Sequence, residues 1–259
     1  MDPASEWDPA LLEVRAALKR RFEAALRRDA PPGAGLTETF EAPLVELVRG
    51  TGVSHFLQES GTLNQLRAYA ALPCHLKEAD PHAWVLRPRQ GGHGRSRVLR
   101  VRCLPACRAG RVHARLFADL VADLGLETSY GHYVDEGHAE VLALVNLMSL
   151  FGLHSRLRGA PAGHFAAVEI TSSPSSRRPA LAMRRAEAGP AAEHFYTEHV
   201  EADAVHEQTV RHDVVRGLLD EEPALEADVV SGIDATGRLE DRLAARLLSD
   251  WRGASPVHS

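Results

Sequence analysis

Two imidazoles and a carboxylate stand at His199, Asp203 and His206, within the run Glu198-His199-Val200-Glu201-Ala202-Asp203-Ala204-Val205-His206. On an α-helix Asp203 lies about 40° to one side of His199 and His206 about 20° to the other, so the three share one narrow stripe. Nitrogen and oxygen donors fixed on one rigid face make half of a metal site, and this mix suits iron, manganese or zinc. A chain this rich in His and acid also makes the pattern by chance, so its weight depends on candidates upstream.

Two residues supply that company. His113 opens a helical run in which Leu116, Phe117 and Leu120 share its face, which points that face inward. Glu169 is a single acid within His164-Phe165-Ala166-Ala167-Val168-Glu169-Ile170-Thr171, and a buried carboxylate is costly unless it is paired or binds a metal. Taken singly, each has a plainer reading: His113 as a satisfied core histidine, Glu169 as a surface acid or the partner of Arg156 or Arg158. Tyr196, one turn before His199, could line a substrate pocket, although packing beside the helix is the commoner role for such a tyrosine. Tyr130, with His132 and Tyr133, forms a loop that could line the same pocket or simply pack. His154 and His164 flank the Leu157-Arg158-Gly159 turn and read as capping or surface histidines, and Arg115 reads as solvent-facing.

Helices must position these groups. Residues 8–29 place Leu11, Leu12, Val14, Leu18, Phe22 and Leu26 at spacings of three and four, which predicts an amphipathic helix ended by Ala30-Pro31-Pro32-Gly33. Further helices are expected over 38–49, 61–72, 111–124, 135–153, 161–172, 176–187, 191–217 and 222–250, with Gly125, Gly159, Pro174 and Gly189-Pro190 as the breaks. Only Val98 to Arg102 alternates at period two, so residues 85–110 read as the irregular part of one all-α domain spanning 1–259.

Composition narrows the classes. A chain of 259 residues with 44% hydrophobic content can bury one sizeable core. Its formal charge of -5 argues against general nucleic-acid binding. Lys occurs only at positions 19 and 77, so the arginine clusters reflect a compositional bias and the Arg87 to Arg111 run reads as solvated surface. No apolar run is long enough for a membrane span, and the acidic start Met1-Asp2-Pro3-Ala4-Ser5-Glu6 is unlike a signal peptide, which predicts a cytoplasmic protein away from membranes. Cys74, Cys103 and Cys107 are too few and too oddly spaced for a disulfide framework.

With these residues in place, the chain resembles the heme-oxygenase-like diiron oxidases and oxygenases, in their bacterial iron-containing redox enzyme branch. The resemblance is carried by the helix-opening His113 in Val112-His113-Ala114-Arg115-Leu116-Phe117, by Glu169, and by the His199/Asp203/His206 helix. It extends to Asn146-Leu147-Met148-Ser149-Leu150-Phe151-Gly152-Leu153-His154, Leu157-Arg158-Gly159 and Glu169-Ile170-Thr171-Ser172-Ser173, covering roughly residues 80 to 225. It implies a seven-helix bundle with metal held between facing helices. It also implies Fe(II), two irons per chain or one, with O2 and a small amine or amino acid as reactants, often in natural-product assembly. His113 with a nearby acid would hold one iron and His199, Asp203 and His206 the other, with Glu169 bridging or shared. A homodimer stays open.

One departure bears on that site. Where the resemblance calls for an acidic ligand about ten residues before the helix-opening His, this chain has Cys103, in Arg102-Cys103-Leu104-Pro105-Ala106-Cys107-Arg108. A thiolate there could ligate iron, yet it oxidises readily beside O2 and cannot bridge as a carboxylate does. A weakened first iron site, a site that uses Cys103, and a locally altered sequence all remain open. Zinc held by Cys103, Cys107 and His113 is a further reading, without the paired C-x2-C spacing of strong zinc motifs. Two other functions stand beside the iron enzyme: a metal-free, thiaminase-like enzyme of the same architecture, and a metal-impaired homologue that binds a partner.

Overall fold

The computed structural model describes residues 7–29, 35–36, 52–77, 113–209 and 214–253, with the backbone alone at 113–114, 172–174 and 201–209. Every regular element among them is a helix, so the expected all-α fold holds. In chain order these are α1 (Pro9–Asp29), α2 (Val53–Ser60), α3 (Leu63–Ala70), α4 (His113–Asp123), α5 (Ala139–Leu153), α6 (Ala160–Arg185), α7 (Pro190–Thr209), α8 (Arg216–Glu221) and α9 (Glu226–Gly253). Short 3-10 turns at Pro73–Lys77, Ser155–Leu157 and Pro223–Leu225 link some of them. The expected helix over 38–49 and the irregular segment 85–110 lie outside the described residues.

Three apolar clusters hold the helices together. In the first, Leu57 and Leu66 of α2 and α3 meet Leu116, Phe117 and Leu120 of α4, Met183 of α6 and Phe195 of α7. The second gathers α5 and α9 through Leu144, Leu147, Phe151, Leu239 and Leu243, and Phe22 and Leu26 of α1 pack onto it. The third joins Phe165, Ala166 and Ile170 of α6 to Val214, Val215, Val229 and Ile233. Thus α6 is the central helix, packed along α7 on one side and α9 on the other.

Its crossing with α9 is close enough to exclude a methyl group on either partner. A Cβ on Gly163 would run into the Val229 carbonyl, and one on Gly232 into that of Ala160. Next to this contact, buried His164 donates from Nδ1 to Thr236 Oγ1 at 2.8 Å, while Thr236 donates onward to the Gly232 carbonyl at 2.7 Å. Because that hydroxyl has spent its proton on Gly232, the histidine nitrogen must be the donor. His164 is therefore a buried helix-helix tie, not the surface or capping residue its sequence position suggests. His154 does cap: its Nδ1 lies 2.8 Å from the Leu150 carbonyl at the end of α5.

Two other expectations change. The helices expected at 161–172 and 176–187 are one, α6, which runs through Pro174 and Pro179. Each proline removes one amide and crowds the preceding turn, but packing on two flanks outweighs that local penalty. The apolar residues of α1 do not all enter the core: Val14 and Leu18 are 56% and 59% exposed, whereas Phe22 and Leu26 pack on the second cluster.

Candidate metal centre

The register of α4 against α7 sets the level of the candidate ligands. At the far end of this antiparallel pair, Asp123 in the last turn of α4 accepts hydrogen bonds on Oδ2 from the amides of Ala191 and Ala192, at 2.6 and 3.2 Å. It thereby caps the first turn of α7 from another helix, satisfying amides that have no partner within their own helix. Gly189 makes room for it, with φ +115°, and any Cβ there would strike the Asp123 carboxylate. Pro190 follows at the first helical position, where its missing amide costs nothing.

From that cap, Phe117 and Phe195 meet edge to face at 5.7 Å. One turn back along α4 from Phe117 is position 113; one turn forward along α7 from Phe195 is position 199. Since the helices run in opposite directions, His113 and His199 occupy the same level. The α6–α7 hairpin gives a second level. Arg184 bridges Glu193 at its closed end, and fifteen residues away on each arm lie Glu169 and position 208. Glu169 is thus within about 3 Å of the level of His206 along the helix axis. The two levels are separated by two turns of α7, about 10 Å, and Asp203 falls between them.

Helix α7 is continuous from Pro190 to Thr209, so positions 199, 203 and 206 keep one stripe. His199 is half-buried, and its Nδ1 lies 2.6 Å from the Phe195 carbonyl. A carbonyl only accepts, so Nδ1 carries the proton and Nε2 the lone pair that a metal needs. The Phe195 ring also packs on the imidazole at 4.3 Å, so one residue fixes both its tautomer and its plane. Asp123 does not stand out in the sequence, since it acts on a helix other than its own.

Glu169 is half-buried on α6, flanked by buried Phe165, Ala166 and Ile170. Arg156 bridges Glu23, and Arg158 bridges Glu222. Tyr196 is buried in the first cluster and meets the Phe195 ring at 5.1 Å. Tyr130 projects outward on the loop before α5, 78% exposed, whereas Tyr133 folds back to accept the Glu127 amide at 2.8 Å. Arg115 pairs with Asp119 at the surface, as expected. Cys103 and Cys107 lie outside the described residues, as do the side chains of His113, Asp203 and His206. Among the described side chains no group of three or more metal-compatible residues forms.

The family of iron-containing redox enzymes matches residues 68–241, about two thirds of the chain, and the protein belongs to it. That span contains every residue of the candidate centre. No curated protein matches the chain. Among the described residues no helix is long and apolar enough to cross a membrane.

Proposed function

We propose that the chain is a non-heme iron oxidase or oxygenase that uses O2 on a small amine or amino-acid substrate, of the kind found in natural-product assembly. What supports this most is the register of α4 against α7, which levels His113 with His199 and leaves Asp203 and His206 on the same stripe. The residues fit the metal chemically. Imidazole and carboxylate donors suit Fe(II), and the Phe195 carbonyl presents His199 in the tautomer that ligates through Nε2.

His113, Glu169, His199, Asp203 and His206 would hold Fe(II), two ions or one, and the bound iron would supply O2 activation. The protein's own part is positional. The Asp123 cap and the Phe117–Phe195 contact keep α4 and α7 from sliding, the Phe195 ring limits rotation of His199, and Phe165, Ala166 and Ile170 give half-buried Glu169 an apolar flank. Cys103 replaces an acid expected near His113, so the His113 end is the weaker of the two.

The test is O2 consumption by the Fe(II)-loaded chain, assayed across a panel of small amines and amino acids. Uptake that rises with at least one of them, and disappears in His206→Ala, supports the reading. Equal uptake with and without every candidate, unchanged in the variant, would refute it.

A further inference from the structure

Helix α9 places a charged residue in the middle of its core face. Ile233, Glu240 and Leu247 recur every seven residues, so Glu240 lies within about 20° of each around the helix, and both neighbours are buried. Thr236, a turn back, and Leu243, a turn on, are buried too. Glu240 nevertheless keeps exposed surface, while desolvation by the protein around it, with Asp241 adding to it, pushes its carboxyl up to about 7. A side chain that water reaches from the core face of a helix lines a recess in the bundle. There Glu240 makes no hydrogen bond or ion pair among the described residues.

Two relationships put this recess beside the candidate iron ligands. Ala160 meets Gly232 and His164 bonds Thr236, the same offset of 72 residues at both points, so α6 and α9 run parallel there. Glu240, four residues past Thr236, is therefore level with Glu169, five past His164, to within about 2 Å. Near Glu240 stands Tyr69 of α3, its phenol raised above its ordinary range by burial and then by Cys74 and Glu240. The Tyr69 ring meets His75 at 5.4 Å, His75 meets Phe117 at 5.9 Å, and Phe117 is the ring that touches Phe195. Aromatic rings thus lead from Glu240 to the α4–α7 contact beside His199.

We propose that Glu240 receives the ammonium group of the substrate in this recess, which makes that substrate a primary amine or an amino acid held by its cationic nitrogen. This rests on the amine chemistry proposed above. A desolvated carboxylate without a counter-charge is costly, and an organic ammonium supplies the charge while its carbon chain covers apolar wall. A metal ion asks for several donors, whereas one carboxylate near an aromatic ring suits an ammonium. With the nitrogen held at α9, the rest of the substrate extends across to Glu169 at the same level.

Glu240→Gln keeps the shape and removes the charge. Calorimetric titration of the full, iron-free chain at about pH 8, where Glu240 is ionised and alkyl amines are cationic, compares butylamine with butan-1-ol and hexylamine with hexan-1-ol. At least one amine should bind about tenfold or more tightly than its alcohol, and Glu240→Gln should erase that preference. Thermal melting should find the variant no less stable than the parent, because an unpartnered carboxylate is lost. No amine binding, equal affinities within both pairs, an amine preference that survives Glu240→Gln, or a variant that melts lower would each overturn the proposal. Failure of the oxidase reading looks different: the amine preference would hold in a chain that takes up no O2.

Discussion

Phe117 and Phe195 touch edge to face at 5.7 Å, and this single contact sets the height of His113 against His199 across two helices. Both rings are buried in a cluster shared by α2, α3, α4, α6 and α7, so the contact is held from several sides. Phe117→Leu should keep the fold at a cost of about 1 kcal/mol, since volume and polarity change little. It should nevertheless lower iron affinity more than a matched Leu120→Val change, which leaves the ring pair intact. Iron titrations of the two variants check this, and equal losses would mean the ring contact does not govern the site.

The Asp123 cap on α7 predicts a coupling. Asp123→Ala should cost about 1 kcal/mol of stability by leaving two first-turn amides without their carboxylate. Gly189→Ala should cost more, because it adds a clash with that carboxylate to an unfavourable positive φ. In the double variant the clash with the carboxylate is gone while the lost cap and the backbone strain remain, so the combined loss should be smaller than the sum of the two. Urea unfolding of the four proteins measures the coupling, and strict additivity would contradict the close approach.

Glu23 predicts an acid-sensitive anchor for α1. Hydrogen bonds from Arg156, with Arg27 adding to them, hold its carboxyl down to about 2. The folded value lies below the unfolded one, so the stabilisation is present above about pH 4.5 and is lost as pH falls toward 2. After allowance for solvent screening it amounts to about 1 kcal/mol. Arg156→Ala should flatten stability against pH in that window; an unchanged acid slope would show that the pair contributes nothing.

Much of the helical frame is legible in the sequence, because amphipathic periodicity survives wherever a helix buries one stripe: α1, α4, α5 and α9 fall close to their expected bounds. Helix α2, eight residues long, lies outside the expected helices. Pro174 misleads because its penalty is local while the packing that overrides it is not. The same limit hides Asp123, whose partners are 68 and 69 residues away, and His164, whose partner Thr236 is 72 residues away. The candidate ligands are legible as a stripe and two isolated residues. The levels at which they sit are not, since these depend on how α7 meets α4 and α6.

Cys103 predicts a gain by substitution. If an acid has been lost from the His113 end, Cys103→Glu returns a hard, oxidation-resistant oxygen donor and should raise bound iron toward two per chain, with more O2 consumed. A site that uses the thiolate would instead lose metal and activity. Iron content and O2 uptake of both proteins after identical anaerobic loading separate these outcomes.

Iron is proposed to sit on the α7 stripe that carries His199, Asp203 and His206. Anaerobic Fe(II) loading followed by iron counting, on the parent chain and on His206→Ala, tests it most directly. The account predicts at least one tightly held iron in the parent and none in the variant, with helical content unchanged. A parent chain that retains no iron, or a variant that retains all of it, would contradict it.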